Sequence, residues 1–520
     1  MREEPPSLTL RTARGIVWLA ANTLGSKLLT TIGQVILARL LLPADWGVYA
    51  LVGVIAGFAG VLQNTGMREI LIQRSSHFRR WANSAFWMSL SIASISGLLM
   101  AAAGVLAAWA FGFADLGGAI LVLALAAPIE ALAVVPVARA QSNIRFRAVA
   151  MLNLSTTGLT VALSAGMAWL GFGVYSFAVP RLLVALVAAA FWWGITDVRV
   201  KPRPQLRRWK YLFGDARLLI GTAACFMIVM QADRVALGLW YPLGDAEKVL
   251  GWYSFASALS MQLMLLVTGN VAVVLMPALT KVQGEPQRQA DAFLRAVDVL
   301  AAVVVPLYLL QATLAGPLLR VVCGPKWINA IGLYQILSLG LVSAAVSSLG
   351  GSVMQAKGKF LVYFRLSVAS AGVFCAVIAL GVYLDGVRGV AIADAVHQWI
   401  FSLVGLAIVA RQIQARYFTV LFRCARPFVL AGVTVVAAAL LIRLVPLAQW
   451  NPIDESHVAA SLSGRAWRFL RANFQDIATI GAVSAITMLL YVPAVHFLMP
   501  GVWSSIPGYL MRRPQRQVAI

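Results

Sequence analysis

The chain has 520 residues, of which 61% are hydrophobic and 12% charged, with a formal net charge of +23. This composition leaves no room for a soluble domain. The cations are spread over many short gaps, none with the mixed basic and aromatic surface of a nucleic-acid module, so a nucleic-acid role is excluded. A bilayer core is crossed by about 20 apolar residues of helix. Taken in order, fourteen stretches meet that length: 15–37, 47–67, 84–110, 116–138, 148–170, 173–195, 211–240, 250–277, 291–315, 328–353, 360–384, 389–410, 427–447 and 476–499. The predicted fold class is therefore an all-α polytopic membrane protein with about fourteen transmembrane helices.

Lys and Arg collect in every second gap. If the N-terminus is cytoplasmic, the inner segments hold 27 cations, from Arg2, Arg11 and Arg14 through to Arg512, Arg513 and Arg516. The outer gaps hold 8: Arg39, Lys248, Arg320, Lys326, Arg388, Arg465, Arg468 and Arg471. Cytoplasmic loops retain cations, so this asymmetry predicts that both termini lie inside. The first apolar run is too long for a signal-peptide core, and no cleavage is expected.

Motifs of catalysis are missing from the pattern. Cys225, Cys323, Cys375 and Cys424 are far apart without CxxC spacing and read as packing residues, not a metal or redox site. No HExxH, G-x-S-x-G or Walker loop occurs. An enzyme that polymerises or transfers sugars would need a large outer loop. The largest, 446–475, offers Asp454, Glu455 and His457 without a recognisable site.

An internal repeat organises the spans. Leu42-Pro43-Ala44-Asp45-Trp46-Gly47-Val48-Tyr49 is answered by Tyr241-Pro242 running to Leu250-Gly251-Trp252-Tyr253, each joining the first and second spans of a six-span half. Near the end of each half, Gly171-Phe172-Gly173-Val174 is answered by Asp385 and Gly389-Val390. Six is even, so the halves share one orientation, as in transporters whose substrate route lies between parallel repeats. The predicted domains are a six-helix bundle over 1–196, a cytoplasmic linker over 197–210 containing Pro202 and Pro204, a second bundle over 211–410, and an appendage of two helices and a tail over 411–520.

Ionisable groups inside the spans are the functional candidates. Lys27, Glu130, Arg181, Asp298 and His397 fall well within the hydrocarbon, counting about 1.5 Å per helical residue. Such a group costs roughly 2.5 to 3.5 kcal/mol at a helix centre, so it should face a cavity or a partner. Pairing, for instance of Lys27 with Glu130, is the structural alternative. Aligning the repeats through Gly173 and Gly389 sets Arg181 opposite His397. Asp233 and Arg234, adjacent on one helix, should point about 100° apart and are gate candidates. Arg217 and Arg365 lie near the cytoplasmic edge and can snorkel. Pro128, Pro136, Pro180, Pro277 and Pro306 free backbone carbonyls, as kinks or hinges, and Gly53 with Gly57 forms a GxxxG packing face.

These landmarks resemble the polysaccharide-biosynthesis, Wzx-type oligosaccharide flippases of the multidrug, oligosaccharidyl-lipid and polysaccharide exporter superfamily, over roughly residues 10–410. The resemblance is carried by Ala38-Arg39-Leu40-Leu41-Leu42-Pro43 with Trp46-Gly47-Val48-Tyr49, by Arg139 with Arg145-Phe146-Arg147, by Asp233-Arg234 with Gly238, and by Leu250-Gly251-Trp252-Tyr253-Ser254. Met276-Pro277, Cys323-Gly324-Pro325-Lys326-Trp327 and Ala356-Lys357-Gly358-Lys359 complete it. One departure is Asn64-Thr65-Gly66, where many members carry an acidic residue before the glycine.

The resemblance implies export of an undecaprenyl-pyrophosphate-linked glycan across a bacterial inner membrane, for O-antigen, capsule or exopolysaccharide. It implies membrane lipids as surroundings, and polysaccharide polymerase and chain-length machinery as candidate partners. No cofactor is implied beyond a coupling ion, a proton or sodium. Lys27, Arg181 and His397 are then the expected cargo ligands, and Glu130, Asp298, Asp233 and Arg234 the coupling or gating groups. A lipid II flippase or a drug antiporter of the same superfamily is the alternative within transport.

Overall fold

The computed structural model describes residues 8–63, 67–73, 78–142, 146–202, 204, 209, 217–242, 244–281, 286–348, 350, 354, 360–414, 416–444 and 473–499. Among them the chain forms helices without strands: α1 Leu8–Leu40, α2 Pro43–Gln63, α3 Met67–Gln73, α4 Phe78–Phe111, α5 Ala114–Leu132, α6 Val134–Ser142, α7 Phe146–Trp169 and α8 Tyr175–Ile195. There follow α9 Arg217–Trp240, α10 Ala246–Lys281, α11 Pro286–Thr313, α12 Ala315–Val322, α13 Ala330–Ser347, α14 Phe360–Gln412, α15 Tyr417–Leu444 and α16 Phe474–Leu498. With no water in the bilayer core, helices satisfy their own backbone.

Eleven of the helical segments among the described residues are long and apolar enough to cross a membrane. One, Leu361–Gln412, contains two crossings, because the backbone leaves the helical region at Asp385 and Gly386. With α1 and α10, at 33 and 36 residues, every crossing expected from the sequence falls on a helix. Most helix ends differ from the expected spans by a few residues, and two of the shifts have a consequence or a clear cause. The second span starts at Pro43, since proline is pre-organised for a first helical turn. The thirteenth starts at Tyr417, so Arg423 and Arg426 lie on the helix and not in the gap before it. The segment 445–472, with Asp454, Glu455 and His457, lies outside the described residues, as do Asn64-Thr65-Gly66, Arg145, and Lys357 and Lys359.

Packing divides the chain into two compact units, Met1–Phe255 with Phe360–Val390 and Ala256–Lys359 with Ala391–Ile520. The repeats at 1–196 and 211–410 are a separate, sequence-level proposal. In the first unit α1 packs along α7 through small residues: a Cβ on Gly33 would come within 2.7 Å of Val161. The segment after α8 is strapped to α4. The Trp87 indole N–H donates to the Lys201 carbonyl at 2.8 Å, and the Lys201 N–H donates to Asn83 Oδ1 at 2.8 Å. Val198 and Val200 join a cluster around Leu71, Phe78, Phe86 and Val135. Arg139 binds Asp197 at 3.3 Å, and that hydrogen bond holds the exposed Asp197 carboxyl below its usual pKa.

In the second unit α11, α15 and α16 share a core of Leu310, Leu314, Val435, Ala438 and Val483. The two C-terminal helices are thus integral to this unit. A buried polar chain links α10, α13 and α11: Gln311 donates to the Ser338 hydroxyl at 2.8 Å, which lies 3.3 Å from that of Ser260. Such contacts between membrane helices contribute on the order of 0.6 kcal/mol each.

Candidate functional site

In the first unit α5 and α8 each carry one charged residue beside a proline. Pro128 precedes Glu130 by two residues and Pro180 immediately precedes Arg181. The two side chains meet. Arg181 Nε donates to Glu130 Oε1 at 2.7 Å, and Nη2 to Oε2 at 3.2 Å. This is a bidentate fork of the kind only arginine makes. Both residues lie within membrane-length segments, Asp115–Ser142 and Tyr175–Ile195, yet the Arg181 side chain is 52% exposed and that of Glu130 35%. One turn before Arg181, Phe177 stacks on Tyr49 with ring centres 3.9 Å apart and planes 13° apart. Trp46 meets Phe177 edge-on at 5.2 Å.

The structural alternative for Glu130 is therefore realised with a different partner: it binds Arg181, not Lys27. Lys27 is half-buried on α1 and has no ion-pair partner among the described residues. Asp233 is buried on α9. The expectation that Asp233 and Arg234 point apart needs correction, because Arg234 folds back along its own helix. Its guanidinium lies 3.6 Å from Asp233 Oδ1, donates to Gln231 Oε1 at 3.0 Å and contacts the Met230 carbonyl. Of the GxxxG pair, Gly57 packs against Gln231 and Met227 of α9, whereas a Cβ on Gly53 would meet nothing within 4 Å.

In the second unit Asp298 receives a 3.0 Å hydrogen bond from Arg423 Nη1, which ties α11 to α15. His397 is 2% exposed and packs on Phe401, with ring centres 4.7 Å apart. It therefore lines no open surface in this conformation.

The repeat register is visible in the backbone. Gly173 has φ +50 and Gly386 has φ +52, and each opens the last helix of its half. A Cβ on Gly173 would lie 3.0 Å from Asp45 Oδ1. A Cβ on Gly386 would run into the Tyr241 hydroxyl, which accepts the Val387 N–H at 3.0 Å. Asp45 and Tyr241 belong to equivalent turns, so Gly173 corresponds to Gly386 and not to Gly389. Arg181 then corresponds to Asp394, which accepts a hydrogen bond from Gln398 at 3.4 Å. Sequence reasoning missed Asp394. The signal that could have found it was the Asp385-Gly386 pair, a turn signature.

The profile of the polysaccharide biosynthesis protein family matches residues 36–332. The chain belongs to that family. Among curated relatives it is similar to the succinoglycan biosynthesis transport protein ExoT of Rhizobium meliloti (strain 1021), 23% identical over 335 residues, covering 64% of this chain and 67% of that one. It is also similar to the lipopolysaccharide biosynthesis protein WzxC of Escherichia coli (strain K12), 22% identical over 417 residues, covering 78% and 82%. Among solved structures, the lipid II flippase MurJ in its inward closed conformation superposes with a TM-score of 0.70 at 11% identity, covering 93% of this chain and 100% of that one. An inward-facing multidrug resistance MATE family transporter superposes at 0.59 and 16% identity, covering 76% and 98%. At such identities the solved structures establish the fold alone. This is a multi-pass membrane protein of the polysaccharide biosynthesis family, with the all-helical fold seen in those solved transporters.

Proposed function

We propose that this protein moves undecaprenyl-pyrophosphate-linked oligosaccharide units from the cytoplasmic to the periplasmic leaflet of a bacterial inner membrane, by alternating access, with both termini in the cytoplasm. The observation that carries the reading is the family match over more than half of the chain, joined by relatives named for succinoglycan transport and lipopolysaccharide biosynthesis. Physical need agrees with it. A pyrophosphate and several sugars cannot enter hydrocarbon unaided, so a wet route with polar donors is required while the lipid tail stays in the bilayer. Arg181, Lys27 and His397 are the proposed cargo ligands; His397 needs a conformation that uncovers it. Asp298, Asp233 and Arg234 are proposed for coupling or gating, and a proton or sodium ion for the drive.

The test is a leaflet-resolved profile of undecaprenol-linked glycan in a deletion strain. Complete units should accumulate on the inner leaflet. Outward-facing, unpolymerised units would point to a polymerising enzyme instead and would sink the transport reading.

A further inference from the structure

Glu130 uses one edge of the Arg181 guanidinium, the Nε–Nη2 edge. An arginine has a second edge, Nη1–Nη2, and here that edge has no protein acceptor among the described residues, although the side chain is half exposed. A guanidinium donates five N–H bonds in a rigid plane, so with two spent on Glu130 three remain, two of them side by side along the free edge in a fixed orientation. We propose that Glu130 is a positioning residue: it clamps Arg181 so that the free edge of the fork receives an oxyanion of the cargo, and its negative charge weakens that grip enough for release. The oxyanion is the pyrophosphate of the lipid link or a carboxylate of an acidic sugar. This rests on the transport reading above and makes Glu130 neither a coupling acid nor merely a helix staple.

Two physical arguments support it. An unpaired guanidinium within an apolar span is costly, and its flexible side chain would have to be ordered anew by each cargo. Pairing removes both costs while leaving donors in place. A transporter also gains nothing from a ligand it cannot release. A carboxylate a few ångströms from the bound oxyanion opposes it, and at the effective dielectric of partly exposed sites that opposition amounts to roughly tenfold in affinity or more.

The experiment uses the full-length protein in lipid nanodiscs, with inorganic pyrophosphate and glucuronate as separate probes, read by calorimetry on wild type and variants. R181A should lose at least tenfold in affinity for one probe, and which probe identifies the oxyanion. R181K, which keeps the charge but not the fork, should also weaken binding and guards against a misfolded R181A. E130Q should bind that probe about tenfold more tightly yet export more slowly in cells. E130A, losing the clamp with the charge, should tighten it less. Unchanged binding of both probes in R181A and R181K would reduce the pair to a staple. Unchanged affinity in E130Q together with a lost pH dependence of export would make Glu130 a coupling acid. Either result overturns the proposal. If the deletion strain exports glycan normally, the transport reading itself fails, whatever the variants bind.

Discussion

The Tyr491 hydroxyl donates a 2.9 Å hydrogen bond to the Ala302 carbonyl, the carbonyl that Pro306, four residues on, leaves without its intrahelical donor. Proline in a membrane helix is tolerated when a neighbour re-satisfies the freed group, and here α16 is that neighbour. Y491F should therefore cost about 1 kcal/mol or somewhat more of unfolding free energy. In the P306A background, where the helix supplies its own N–H, the same change should cost much less. Thermal unfolding of the four proteins in the cycle gives the coupling, expected on the order of 1 kcal/mol. Equal costs in both backgrounds would break the link between the proline and the tyrosine.

Gly47 and Gly251 form a reciprocal crossing within the first unit. A Cβ on Gly47 would collide with the Glu247 carbonyl, and one on Gly251 with the Pro43 carbonyl. Each glycine thus sits against the first turn of the other's helix, and backbone cannot move aside cheaply. G47A and G251A should each destabilise by about 1 to 3 kcal/mol and depress export, whereas G53A, which meets nothing, should be neutral. Melting temperature and cell-surface glycan check this together.

Glu247 supplies one of those carbonyls and has an ionisable side chain. Burial raises its carboxyl pKa, nearby Asp115 and Asp45 raise it further, and Lys248 opposes them. A carboxyl raised in the folded state binds its proton better there than in the unfolded chain. Its contribution is therefore most favourable at low pH and declines as pH rises through the raised value. E247Q should flatten the loss of stability with rising pH above the ordinary glutamate range. A melting profile between pH 4 and about 7 that is the same for wild type and E247Q would refute it.

Two ion pairs hold the C-terminal helices and should differ in weight. Arg320 binds Asp476 at 2.7 Å in an exposed setting, where pairs contribute roughly 0 to 1 kcal/mol. Asp298 with Arg423 is more enclosed, and R423A would strand a carboxylate in a poorly hydrated place. R423A should cost on the order of 2 kcal/mol, R320A well under 1, and D298N should rescue much of R423A. Failure of that rescue would show that Arg423 acts through something other than charge.

How far the sequence reached can be read from particular residues. The crossings and the helical class were legible, because a bilayer imposes length and apolarity on each span, and Leu42-Pro43 and Tyr241-Pro242 are local turn signals. Gly386 was passed over in favour of Gly389, since the two glycines lie three residues apart in one short stretch and backbone dihedrals tell them apart. The contacts of Arg181 were not legible at all. Glu130 lies 51 residues away in sequence, and no local spacing relates α5 to α8.

The sequence by itself determined that this chain lives in the bilayer as a series of apolar helices, and which few charges had to be accounted for. Those are consequences of hydrophobicity and of the cost of burying charge, and both are properties of composition along the chain. Only the tertiary structure decided which charges meet: Arg181 with Glu130, Asp298 with Arg423, and Tyr491 with the carbonyl freed by Pro306. A charge in hydrocarbon must find a partner, but which partner depends on how helices distant in sequence are packed side by side.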